Sequence, residues 1–179
     1  MQNTNQEITF EQIKLLAELG DVNACYILAN CYEQGISFTQ NNEEAFKLYL
    51  FCANKGDANA QHKVGLCYDI GKGTSQSYEN AFYWYKRASA RGNGKAMYNL
   101  ASCYEEGQGV EKNLKRAFYW YSRSAEEGVI SAYCVLGYYY ANGIGIKQDI
   151  NKAIQMYTVA AEHGNQDALK NLQILKDNK

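Results

Sequence analysis

Gly20, Gly56, Gly92, Gly128 and Gly164 stand at a constant interval of 36 residues, which makes the chain a tandem array. A period in this range marks supersecondary units stacked in a row, each burying its apolar faces against its neighbours. Specificity in such an array lies on a surface shared among units, so the pattern points to a binding scaffold.

With the glycines setting the register, other columns fall in at the same interval without a gap. Ala24, Ala60, Ala96, Ala132 and Ala168 form one, and Leu28, Val64, Leu100, Leu136 and Leu172 the next. A small residue follows each of the first four of these, at Ala29, Gly65, Ala101 and Gly137, and then Tyr32, Tyr68, Tyr104 and Tyr140. The second half of each unit carries Ala45, Ala81, Ala117 and Ala153, then Phe46, Phe82, Phe118 and Ile154, then Tyr49, Tyr85, Tyr121 and Tyr157. Spacings of three, four, seven and eight are helical, so each unit reads as two helices, from about residue 22 to 34 and from about 42 to 55 in the first unit. The small column lets the two backbones approach, and the tyrosines fill the wider gaps.

Both ends of each helix are marked. Gly35, Gly71, Gly107 and Gly143 follow the first helices and the founding glycines follow the second, where a left-handed residue ends a helix. Asn41, Ser77, Asn113 and Asp149 precede the second helices as N-caps, and Asn41 with Glu44 has the spacing of a capping box. Asp21, Asp57, Asn93 and Asn165 precede the first helices, with Val129 the exception. Proline is absent, so nothing kinks a helix.

At the start, Thr9, Phe10, Ile13, Leu16 and Ala17 fall in second-helix columns with no first helix before them, an N-terminal cap helix over 8–20. Repeats follow at 21–56, 57–92, 93–128 and 129–164. A last helix over 165–179 keeps Ala168, Leu172 and Leu175 inward but places Gln173 and Lys176 in the small and tyrosine columns, as a closing cap would. The expectation is one all-α domain of about ten helices, with no interior linker.

The stretch from Leu136 to Ala168, "LGYYYANGIGIKQDINKAIQMYTVAAEHGNQDA", resembles the Sel1-like repeat. The resemblance extends over nearly the whole chain; the first repeat departs from it, with Ser37 where Gly73, Gly109 and Gly145 supply a second glycine. It implies a right-handed α-α superhelix related to tetratricopeptide arrays. It also implies an adaptor used in signalling, membrane-protein quality control, cell-envelope assembly or host interaction.

Charge and composition favour a protein partner. Eighteen Lys and Arg against nineteen Asp and Glu leave a net charge of −1, without the basic excess that nucleic acid binding demands. No apolar run approaches the ~20 residues of a membrane span. Met1 to Phe10 show neither the charged nor the apolar region of a secretory signal, so the expected location is cytoplasmic unless export takes a route without one.

Six cysteines invite a disulfide or metal reading. Cys31, Cys67 and Cys103 share one column, so they lie about 9 Å or more apart and beyond bridging reach. In a secreted, cysteine-rich branch of the resembled family each repeat is bridged. Cys25 falls in one column of that pattern, but Glu18 occupies its partner position, and Cys52 and Cys134 complete no pair. The cysteines read as reduced, buried small hydrophobes. With no C-x-x-C and with His62 and His163 far apart, neither a metal nor a cofactor is expected. No catalytic motif is present, and the chain reads as a non-enzyme. The cysteine-rich branch is linked to β-lactam binding or hydrolysis, which is the enzymatic alternative.

In related superhelices the first helices line a concave groove. Columns there that the core does not use hold Tyr26, His62, Tyr98 and Cys134, then Asn30, Leu66, Ser102 and Tyr138. Two more hold Glu33, Asp69, Glu105 and Ala141, then Gln34, Ile70, Glu106 and Asn142. Tyrosine supplies a rigid apolar face with a polar tip, asparagine can clamp a peptide backbone, and the acidic strip favours a segment carrying Lys or Arg. The expected site is Tyr26, Asn30, Glu33, His62, Leu66, Asp69, Tyr98, Ser102, Glu105, Glu106, Tyr138 and Asn142, holding a protein or peptide segment of basic character. On the opposite side Tyr83 beside Trp84 and Tyr119 beside Trp120 offer a patch for weak self-association, the architectural alternative.

Overall fold

Two apolar stripes joined by a glycine turn bury each other as an antiparallel helix pair, and the chain uses this solution throughout. The computed structural model describes residues 9–37 and 39–177. Among them are ten helices and no strand: α1 (Phe10–Glu18), α2 (Val22–Gln34), α3 (Asn42–Asn54), α4 (Ala58–Ile70), α5 (Tyr78–Ser89), α6 (Gly94–Glu106), α7 (Leu114–Glu126), α8 (Ile130–Asn142), α9 (Ile150–Glu162) and α10 (Gln166–Asp177). The fold is all-α, as the columns predict. Residue 8 of the expected cap helix, residues 178 and 179 of the last one, and most of the segment searched for a secretory signal lie outside the described residues. Two compact units are present, Met1–Ser77 with α1 to α4 and Tyr78–Lys179 with α5 to α10. Within each unit every helix packs on the next, and α10 also reaches α8.

Local chemistry sets the helix ends. Asp21, Asp57, Asn93 and Asn165 each accept a hydrogen bond from the amide three residues on, at 2.6–2.9 Å, while Val129 provides no side-chain cap. Gly35, Gly71, Gly107 and Gly143 all take the left-handed conformation, with φ between 68° and 78°. The capping box expected at Asn41 is only half formed. Asn41 Oδ1 accepts from the Glu44 amide at 3.1 Å, but the Asn41 amide donates to the Tyr32 carbonyl and Glu44 turns to Lys47. A full box occurs instead at Thr9 and Gln12, where each side chain bonds the other's backbone.

The columns become the core. Ala24, Ala60, Ala96, Ala132 and Ala168 are buried, as are Ala45, Ala81, Ala117 and Ala153 and all four second-helix tyrosines, Tyr49, Tyr85, Tyr121 and Tyr157. The small column works by close approach: a Cβ added to Gly137 would lie 2.6 Å from the Tyr157 ring, which would have to shift to admit it. The Phe and Tyr columns meet edge to face. Phe46–Tyr68 in the first unit and Phe82–Tyr104 and Phe118–Tyr140 in the second have ring centroids 5.3–5.4 Å apart and planes within four degrees of perpendicular.

Each turn between helices is tied by bonds to its own first helix. The amides of Asn41, Ser77, Asn113 and Asp149 donate to the carbonyls of Tyr32, Tyr68, Tyr104 and Tyr140. Gln40, Gln76 and Gln148 donate from Nε2 to the carbonyls of Glu33, Asp69 and Ala141 at 2.7–2.8 Å. Ser37 adopts φ 63°, the left-handed conformation of the second glycines, in spite of its side chain. At Gly109 a Cβ would collide with the Tyr78 carbonyl at the start of α5. For Ser37 the counterpart of that carbonyl belongs to residue 6, outside the described residues.

Candidate partner-binding site

In the first unit, one buried tyrosine gathers three of the expected site residues. Tyr49 on α3 lies edge-on to Tyr26 at 5.6 Å and donates its hydroxyl to Asn30 Oδ1 at 2.7 Å and to Glu33 Oε2 at 2.8 Å. Asn30 also donates Nδ2 to the Tyr26 carbonyl at 3.0 Å, so its amide is largely committed within the helix pair. Glu33 is matched by two cations, Lys63 Nζ at 2.5 Å from Oε2 and Lys72 Nζ at 3.0 Å from Oε1. Its side chain is only 15% exposed. Burial pushes its carboxyl up, but the bonds from Lys63, Lys72 and Tyr49 outweigh that and lower its pKa to about 2. The Lys63 ammonium also lies 5.4 Å from the centre of the Tyr49 ring. His62, Leu66 and Asp69, on α4, are half-buried.

In the second unit, the same tyrosine column meets a carboxylate in a different electrostatic state. Tyr121 on α7 donates to Glu105 Oε2 at 2.7 Å, and Tyr139 on α8 donates to Glu105 Oε1 at 2.8 Å. Burial raises both hydroxyls above the usual tyrosine range, and donation to Glu105 raises them further, so both remain protonated donors. Among the described residues no lysine or arginine pairs with Glu105 or with the exposed Glu106. Tyr98, half-buried, lies edge-on to Tyr121 at 5.2 Å, and its hydroxyl is raised by burial first and then by the nearby Glu105 charge. Ser102 is half-buried one turn before Glu105.

Further along, Tyr138 is 51% exposed and its carbonyl accepts from Asn142 Nδ2 at 2.9 Å. These two line an open cavity of about 200 Å³ with Ala141, Tyr157, Asn171, Ile174 and Leu175. Its volume and its mix of apolar and amide side chains suit a side chain of modest size.

The remaining features take structural positions. Cys25, Cys52, Cys67 and Cys103 are buried, and none of the six cysteines is disulfide-bonded. Burial, the leading cause in each case, pushes the Cys52 thiol up to about 12 and that of Cys67 up to about 11, which keeps them from acting as nucleophiles at neutral pH. Among the described residues no three His, Cys, Asp or Glu side chains converge as metal ligands, and no helix is long and apolar enough to cross a membrane. Of the paired aromatics, Trp84 is buried while Tyr83 and Tyr119 are half-exposed, at 50% and 54%. Arg87 covers Tyr83, its guanidinium 5.6 Å from the ring centre and Nη1 donating to the hydroxyl at 3.1 Å.

The sequence columns mark the carboxylates but not the groups that hold them. Tyr49 and Tyr121 stand in a column that fills the gaps between helices, and Tyr139 stands in the column that holds Cys31, Cys67 and Cys103. One signal was available: Glu33 to Tyr49 and Glu105 to Tyr121 span the same 16 residues, about the separation between facing positions of a helix pair.

Comparison with known proteins agrees with this architecture. The Sel1 repeat model matches at residues 22–57, 58–93, 94–129 and 130–165. Among solved structures, a Sel1 repeat protein from Oxalobacter formigenes is 34% identical over 92% of this chain, with a TM-score of 0.81. A protective antigen present in uropathogenic Escherichia coli strains, displaying an SLR fold, is 33% identical over 93% of it, with a TM-score of 0.89. The chain spans 63% of the first protein and 36% of the second. Helicobacter pylori cysteine rich protein B, 20% identical over 74% of this chain and 96% of its own with a TM-score of 0.59, is similar in fold alone. No curated protein matches the chain. Sel1 repeat proteins are in general non-catalytic scaffolds that mediate protein–protein interaction, and with four matched repeats, capped helix pairs and close structural relatives this chain belongs to the Sel1 repeat family.

Proposed function

We propose that the chain is an adaptor that holds a segment of another protein against its first-helix faces, with α6 and α8 of the second unit carrying most of the recognition. The observation that carries this is the acidic pair Glu105 and Glu106, with no paired cation among the described residues, beside half-buried Tyr98. On α8 the exposed Tyr138 and Asn142 continue the surface over their 200 Å³ cavity. Tyrosines supply contact area at low entropic cost, the amide bonds a peptide backbone, and the unmatched charge selects a segment bearing Lys or Arg. Asn30 and Glu33 of the first unit are engaged within that unit, so the reading rests on the second unit alone.

Selection from a display library of twelve-residue peptides tests this. The wild-type protein is expected to enrich segments containing Lys or Arg, and the Tyr138→Ala, Asn142→Ala double variant to bind the enriched segment about tenfold more weakly. A wild-type protein that enriches no segment, or a double variant with undiminished affinity, overturns the reading.

A further inference from the structure

We infer that Glu105 anchors a subsite for one arginine side chain, supplied by the segment that the proposed adaptor holds; the inference deepens that reading and depends on it for the source of the arginine.

The chain itself shows what such a carboxylate requires. Glu33 stands two repeats earlier in the same column, accepts a hydroxyl from the same tyrosine column, and has a separate ammonium on each oxygen, Lys72 on Oε1 and Lys63 on Oε2. Those lysines lie 30 and 39 residues beyond Glu33. The positions 30 and 39 residues beyond Glu105 are Val135 and Ile144, which carry no charge. The geometry is repeated and the cations are not.

The two hydroxyls define what Glu105 can still accept. A carboxylate offers about four lone-pair positions, and the Tyr121 and Tyr139 hydroxyls take one on each oxygen, which leaves one on each. Where ammonium groups do the matching, at Glu33, it takes two of them. A single guanidinium, with parallel N–H donors in a planar fork, meets both oxygens at once. Tyr98 beside Tyr121 gives the planar group an aromatic neighbour, as Tyr49 does for Lys63. Two fixed hydroxyls and partial burial hold the oxygens in place, so less is lost on binding than at a freely rotating surface glutamate.

The test uses the full chain and three small probes: Nα-acetyl-arginine N-methylamide and its lysine and citrulline counterparts, titrated while backbone amide chemical shifts are followed. The arginine probe is expected to shift amides of α6 around Tyr98 and Glu105, and that of Tyr139, saturating in the range of about 1–10 mM. The citrulline probe, of the same shape without the charge, is expected to bind about tenfold more weakly, the lysine probe about threefold more weakly, and Glu105→Gln to cost about tenfold for arginine. Equal binding of arginine and citrulline, equal binding of arginine and lysine, or arginine-induced shifts confined to other helices overturns the subsite. The citrulline comparison is made on wild-type protein and does not depend on how the variant folds. Arginine binding at Glu105 by a chain that enriches no peptide leaves the subsite standing and ends the adaptor reading. Enrichment of peptides by a chain on which the arginine probe is silent does the reverse.

Discussion

Glu33 in the first unit and Glu105 in the second hold the same place in the repeat, bond a hydroxyl from the same tyrosine column, and differ in who neutralises them. The first is closed by Lys63 and Lys72 and is structural. The second is held by Tyr121 and Tyr139, which orient its charge without cancelling it. A repeat thus copies the position of a carboxylate through shared columns, while the residues 30 and 39 positions further on decide whether lysines neutralise it.

Removing the charge at each site is the most severe way to break the comparison. Glu33→Gln leaves two lysines facing a neutral amide and is expected to destabilise the protein by about 2–3 kcal/mol in urea denaturation at neutral pH, whereas Glu105→Gln, which still accepts from one tyrosine and turns its NH2 to the other but leaves no facing lysine without its counter-charge, should cost about 1 kcal/mol. Equal losses would mean that the two sites are alike. A somewhat smaller effect is expected from acid. The Glu33 carboxyl is lowered in the folded chain from 4.5 to about 2, so its contribution is complete above about pH 4.5 and disappears as pH falls through about 2. Urea midpoints measured across that window should decline by the equivalent of about 2 kcal/mol in the wild type and stay flatter in Glu33→Gln; parallel curves would remove Glu33 as the cause. The mildest change sharpens the comparison by copying one site onto the other. Val135→Lys with Ile144→Lys places cations where the first unit has them, and stability should move by no more than about 1 kcal/mol while affinity for the arginine probe falls about tenfold. Undiminished affinity in that variant would show that the copied lysines do not reach Glu105.

The parts of the molecule encoded by one column at a time were legible in the sequence. Helix bounds, the caps at Asp21, Asp57, Asn93 and Asn165, the uncapped Val129 and the close approach at Gly137 all follow from a residue and its fixed offsets. Less legible was anything requiring a choice between partners. The Asn41 amide had both the Glu44 side chain and the Tyr32 carbonyl within reach, and the turn geometry gave it to the carbonyl. Tyr139 shares its column with Cys31, Cys67 and Cys103, and only the folded chain brings its hydroxyl to Glu105. At Glu33 the balancing charges come from 30 and 39 residues away, distances at which no periodic rule marks a lysine as a partner.

The bonds that tie each turn, from Gln40 to Glu33, from Asn41 to Tyr32, from Gln148 to Ala141 and from Asp149 to Tyr140, begin and end inside a single repeat. A repeat can therefore be duplicated or lost as a whole without leaving its own corner undone. An array built this way can change length in steps of one repeat, with each corner carried along in its own copy.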